Sequence, residues 1–284
     1  MTSLAEALDH RPDAALLLVV ADELGSSYAA NVGVYDALRT GMATSAGLMV
    51  PAPWSREAAA SYRGEDVGVH LTLNAEYDLY RWGPITHAPS LLDGDGGFPR
   101  TRDDLWEHGD LDEVRRECRA QIERAIYWGF DVSHLSSHLG TLEIRPEFFD
   151  VALELAAEFE LPLRLPDASG ERLAGFPFRQ LAAAEGVCSP DWLVRVHNRS
   201  TRAALDRLLA DLRPGVTEVV VRPARDTGEL RALAPDWASR VDDLDLVTTG
   251  PSLRALADRA GVTLIGYRQL RDLQRAGRSP TPSR

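Results

Sequence analysis

Apolar residues run unbroken from Leu16 to Val20 between polar flanks. A short run without alternation is the pattern of a strand buried on both faces of a parallel sheet, and this first strand is expected to end at Ala21. Over residues 28–39 the spacing changes. Val32, Val34, Tyr35 and Leu38 recur at helical intervals, and Gly41 stands where a helix would stop. The rhythm then repeats, with strands at 44–50 and 67–73 around a helix at 56–62. Further along it predicts helices at 111–128, 146–159, 202–212 and 252–260, and strands at 132–135, 161–165, 216–221 and 262–265.

Seven or eight strands alternating with helices predict an α/β fold built on a parallel sheet. The preferred arrangement is a distorted (β/α) barrel forming a single domain over residues 1–275, with 276–284 as a flexible C-terminal tail. The 284-residue length agrees, since such a barrel takes about 250 residues. The stretch at 76–100 breaks the rhythm. It is rich in aromatic residues, Gly and Pro and has no clear periodicity, which marks either a functional lid or a structural excursion over one edge of the barrel.

Composition narrows the partners. With 44% hydrophobic and 26% charged residues the chain can bury a full core. A net charge of -12 argues against nucleic acid or an anionic membrane, both of which call for a basic footprint. The longest apolar run, residues 14–21, is too short to span a bilayer and lacks the features of a signal peptide. Cys118 and Cys188 form neither a metal-ligand spacing nor a disulfide framework. The expectation is a cytoplasmic protein with a small-molecule substrate, no nucleic acid and no membrane; a homodimer stays open as its oligomeric state.

Candidate chemistry sits where strands end, because loops there build the active sites of such folds. Asp22 and Glu23 follow the first strand directly. Neighbours on an extended chain point opposite ways, so the two carboxylates are suited to different tasks. The competing reading is an acidic pair favoured by the positive end of the following helix. His70 lies in the apolar run Val67-Gly68-Val69-His70-Leu71, where a lone histidine is most often a hydrogen-bonded core residue. His134 and His138 stand four apart in Ser133-His134-Leu135-Ser136-Ser137-His138, close enough in register to line one cavity. A carboxylate with two imidazoles is a familiar three-ligand metal site, so the three strand ends together favour a metal hydrolase.

Taken in order, Ala21-Asp22-Glu23-Leu24-Gly25, Gly68-Val69-His70-Leu71-Thr72-Leu73, His134-Leu135-Ser136-Ser137-His138, Pro214-Gly215-Val216-Thr217-Glu218 and Gly266-Tyr267-Arg268-Gln269-Leu270 resemble the YdjC-like carbohydrate deacetylases across nearly the whole chain. The resemblance implies a deacetylase-like barrel that uses a divalent metal, magnesium or zinc, to remove acetyl groups from N-acetylated sugars. It implies Asp22 as general base and Glu23, His70 and His138 as metal ligands. Arg222 stands where the family has a histidine in a His-Pro pair, and is assigned to the catalytic set as an oxyanion or anion contact, since an arginine keeps its proton. His134, Tyr80, Trp82 and Asn74 are the expected substrate contacts. The chain also departs from the family at Glu23, where the family has Asp, and at Ser136, where it has Asp. Leu139-Gly140-Thr141 lacks a further histidine. These departures leave two alternatives: a metal-free enzyme of specialised metabolism on the same scaffold, and a non-catalytic small-molecule binder.

Overall fold

The computed structural model describes residues 3–195, 207–249 and 260–277, with Ala255 and Ala257. Most of the helix expected at 252–260, the first half of that expected at 202–212 and nearly all of the tail lie outside the described residues. The strands are β1 (Ala15–Leu24), β2 (Ser45–Leu48), β3 (Val67–Leu71), β4 (Val132–Ser137), β5 (Trp192–Arg195), β6 (Gly215–Val221) and β7 (Thr263–Leu264). They run in the order β4-β3-β2-β1-β6-β5, every pairing parallel, with β7 paired to β1. One edge of β1 carries β6 from Ala15 to Ala21. On β1, β7 takes Leu16 and Leu17, and β2 takes over from Val20.

The sheet curls into a distorted (β/α) barrel. Beyond β4, the Leu135 N–H donates to the Pro162 carbonyl and the Arg164 N–H to the Leu135 carbonyl. The Leu163 N–H then donates to Cys188, and Asp191 to Val216 beside β5. The strand expected at 161–165 is thereby reduced to a single bridge between Leu135 and Leu163. Pro162 has no N–H to extend the ladder. The unbroken apolar run of β1 has the predicted cause. Leu16, Leu18 and Val20 pack with Tyr267, Leu270 and Leu273, while Leu17, Val19 and Ala21 join the larger core with Val34, Tyr35 and Ala37.

Two boundaries differ from expectation, and both shape the site. First, β1 continues to Leu24, so Asp22 and Glu23 lie within it. The register against β2 shifts between Ala21 and Leu24, where Glu23 takes φ 67° and the next turn is closed by Gly25 at φ 93°. This bulge turns consecutive side chains toward separate partners. Second, β3 stops at Leu71 because the side-chain amide of Gln121 replaces a neighbouring strand. It accepts from the Thr72 N–H (2.9 Å) and donates to the Thr72 carbonyl (2.8 Å).

The 76–100 stretch is built rather than loose. Arg81 binds Asp93 and the carbonyls of Ala75 and Phe98, and Trp82 is buried. Buried Glu117, from the helix Leu111–Tyr127, accepts from the backbone N–H groups of Ile85 and Thr86.

Candidate active site

Asp22 and Glu23 are adjacent in sequence and belong to different ion clusters. Asp22, only 6% exposed, is gripped through both oxygens by Arg164, at 2.6 and 3.1 Å. The same guanidinium donates through Nε to Glu218 Oε1 at 2.5 Å, and the Tyr267 hydroxyl donates to the other Glu218 oxygen at 2.7 Å. Burial alone would raise both acids. For Asp22 burial is the largest influence, but the charge and hydrogen bonds of Arg164 together with the His70 ring overcome it and hold the carboxyl below its ordinary range, whereas for Glu218 burial prevails and the carboxyl is raised. Two acids sharing one cation are thus driven apart.

Glu23 faces the other way. Its Oε2 accepts from Arg240 Nη1 at 2.5 Å, and its Oε1 lies 3.5 Å from Arg222 Nη1. Asp236 joins both arginines, 2.9 Å from Arg240 Nε and 2.9 Å from Arg222 Nη2. Against the penalty of burial, the two guanidiniums push the Glu23 carboxyl far below the carboxylate range. Arg222 is further fixed by its backbone N–H, which donates to Asp243 at 2.7 Å.

His70 and His138 come together from β3 and from the turn after β4, with ring centroids 5.4 Å apart. His70 is paired in register with Ser136, and its Nδ1 shares a 2.8 Å hydrogen bond with that hydroxyl. Burial pushes this imidazole down to about 4, so it is neutral. His138 Nε2 lies 2.9 Å from Glu76 Oε2, and although burial opposes the charged ring, that carboxylate raises it. Gly47 is required at this point. A Cβ there would meet Asp22 Oδ1 at 2.7 Å and the His70 Cβ at 3.2 Å.

These groups open into one cavity of about 470 Å³, lined by Asp22, Glu23, His70, His138, Arg164 and Arg222 together with Glu143, Arg102, Arg195, Ile144, Leu173 and Phe178. Glu143 is 4% exposed. Its Oε2 lies 3.3 Å from Arg195 while Oε1 has no hydrogen-bond partner, and burial raises its carboxyl despite Arg195. Arg222 Nε is likewise buried without a partner.

The expected substrate contacts are not among the residues lining this cavity. His134 stacks on Tyr267 with centroids 3.7 Å apart and shares a hydrogen bond with Ser133. It is not brought to the cavity with His138: the pairing of β4 with β3 shifts register between Val132 and Leu135, and the His134 ring packs on Tyr267 instead. Tyr80 donates to the Ser26 carbonyl, Trp82 to the Asn74 carbonyl, and Asn74 binds the carbonyls of Pro99 and Thr101. Their polar groups are engaged in holding the 76–100 stretch. Conversely, sequence reasoning passed over Arg164, Arg240, Glu76 and Glu143. Arg164 carried a signal, a lone charge inside the apolar run Leu163-Arg164-Leu165. The others carried none.

The residues Glu23, His70 and His138 do not fit a divalent cation as they stand. Both Glu23 oxygens face guanidinium N–H groups, and His138 Nε2 is turned to Glu76. Among the described residues no three His, Cys, Asp or Glu side chains converge as metal ligands. No helix among them is long and apolar enough to cross a membrane.

Known proteins place the fold. The family model for YdjC-like protein matches residues 16–259. A carbohydrate deacetylase of Thermus thermophilus is 36% identical over 250 residues, covering 86% of this chain and 90% of its own, and one of Geobacillus stearothermophilus is 31% identical over 257 residues, covering 89% and 96%. A crystal structure from Enterococcus faecalis V583, of a protein provisionally named for cellobiose-phosphate cleavage, superposes with a TM-score of 0.77 at 25% identity over 90% of this chain and 99% of its own. The chain belongs to the YdjC-like protein family.

Proposed function

We propose that this chain is an amide hydrolase that removes an acetyl group from an N-acetylated sugar. The observation that carries this reading is the cavity itself. A carboxyl held below its ordinary range, a neutral imidazole and a carboxyl raised by burial line it together, in a chain 36% identical to a carbohydrate deacetylase.

In the proposed reaction Asp22 accepts a proton from a water molecule whose oxygen attacks the acetyl carbon. Arg164 keeps Asp22 charged and oriented, at the expense of basicity. Charge then develops on the acyl oxygen, and the guanidinium of Arg222, which lines the cavity, is the cation placed to offset it. As the C–N bond breaks, Glu143 gives its proton to the leaving amine, a task Arg222 cannot perform. Acetate and the amine leave, and proton exchange with solvent resets both carboxyls. His70, fixed through Ser136, orients the water beside Asp22.

The test is acetate release from N-acetylated mono- and oligosaccharides by the purified chain. Asp22→Asn should lower turnover by about 10²- to 10⁴-fold, the usual range for a general base, while leaving the circular dichroism spectrum unchanged. A wild-type chain that releases no acetate from any of them would sink the proposal.

A further inference from the structure

We infer that the guanidinium groups of Arg222 and Arg240 take, at Glu23, the place of a divalent cation, so that this chain holds no magnesium or zinc ion between Glu23, His70 and His138. The inference concerns the charge balance of the site and stands whether or not the proposed hydrolysis occurs.

Glu23 is buried at the cavity wall, and its two oxygens are 2.5 Å from Arg240 Nη1 and 3.5 Å from Arg222 Nη1. Asp236 closes the group by binding both arginines. The four residues form a ring of two carboxylates and two guanidiniums, formally neutral without any ion. A divalent cation at Glu23 would have to displace a guanidinium from a buried carboxylate or sit within a few ångströms of two positive charges, in surroundings where screening by water is weak.

The backbone agrees with this arrangement. Glu23 is held at φ 67°, a conformation L residues rarely adopt, within the bulge where β1 shifts register against β2. The strained turn is closed by contacts to the arginines rather than to the histidines. His138 Nε2 is directed at Glu76, and His70 Nδ1 at Ser136. Arg240 is itself committed, with Nη2 donating to the Tyr77 hydroxyl at 2.8 Å, and is not among the cavity-lining residues, whereas Arg222 is. Arg222 is therefore the cation of this cluster that faces the cavity.

Equilibrium dialysis of the chelator-treated full chain against Zn²⁺ and Mg²⁺, with metal counted by mass spectrometry, tests this without any activity readout. Wild type should retain neither ion stoichiometrically. One equivalent held by wild type and lost in His70→Ala would overturn the inference. Arg222→Gln, at the accessible end of the ring, should raise Zn²⁺ affinity on the order of 10- to 100-fold, since it removes a charge beside the carboxylate and frees one of its oxygens. An affinity unchanged in a folded Arg222→Gln chain would show that something other than the guanidiniums bars the ion, and would overturn it equally. The measurement is separable from the proposed deacetylation, because acetate release and metal content are read independently.

Discussion

Asp22 and Glu23 share a strand end and a peptide bond, yet the groups around them differ in kind. At Asp22 one arginine serves two acids, so the cluster with Glu218 carries one more negative charge than positive and must keep a proton or attract a cation. At Glu23 two arginines serve Glu23 and Asp236, and the cluster is complete. The lesson is that a carboxylate at a strand end is catalytic material only where its neighbours leave it short of positive charge. Glu23 has the position of a ligand and the surroundings of a structural ion pair.

Removing the shared cation should break this contrast most completely. Arg164→Ala leaves Asp22 and Glu218 buried without their partner, and the expected loss is about 3–5 kcal/mol of stability, the range for stranding a buried charge. Urea denaturation measures it, and a loss under 1 kcal/mol would mean that water compensates both acids. Glu23→Gln should have a smaller effect, roughly 1.5–3 kcal/mol, because Asp236 still serves Arg240. If Glu23→Gln proved the more damaging, the view of its cluster as self-sufficient would be wrong.

A third effect concerns geometry. Gly47→Ala would drive a methyl group into Asp22 Oδ1 and the His70 side chain. Turnover should fall on the order of 10²-fold, as is typical when reacting groups are misplaced by about an ångström. Stability should change little by comparison. Equal activity in wild type and Gly47→Ala would remove Asp22 and His70 from the reacting set.

The pH dependence separates the clusters further. Asp22 and Glu23 have folded pKa values below their unfolded ones. Their contribution to stability is therefore fully present above the ordinary carboxylate range and is lost as pH falls through the depressed values. Glu218 and Glu143 are raised. The fold then holds their protons longer than the unfolded chain does, so their effect runs oppositely, and stability declines as pH rises from the ordinary carboxylate range to the raised values. Turnover should persist through mildly acidic pH without the limb near 6.5 that an ordinary imidazole base would give. It should fall on the alkaline side as Glu143 ionises. Glu143→Gln should abolish that alkaline limb together with most of the rate; an unchanged limb would assign the acid elsewhere.

The smallest effect is expected at a contact outside the two ion clusters. Tyr80→Phe removes one hydrogen bond to the Ser26 carbonyl and should cost about 1 kcal/mol of stability. Substrate KM should not move. A large rise in KM would return the 76–100 stretch to the substrate site.

The alternation of buried strands and amphipathic helices, the placing of Asp22, His70 and His138 in or beside strands, and the ordered motifs were legible in the sequence, because burial on both faces of a parallel sheet imposes a local pattern on the residues that form it. Within that pattern a lone charge stands out, and Asp22 and His70 were found in this way. Arg164 was open to the same test.

What the chain order did not reveal is pairing. Arg164 meets Asp22 across 142 residues, and Arg240 meets Glu23 across 217. Such contacts follow from how strands and helices close around one another, and no local period encodes them. The same limit explains His134 and His138, four apart in sequence, of which one stacks on Tyr267 and the other lines the cavity. The sequence by itself determined which polar residues stand in or beside the buried strands. Only the tertiary structure decided which charges face each carboxylate, because electrostatic fate depends on distances across the fold and on exclusion of water, and both exist only once the barrel has closed.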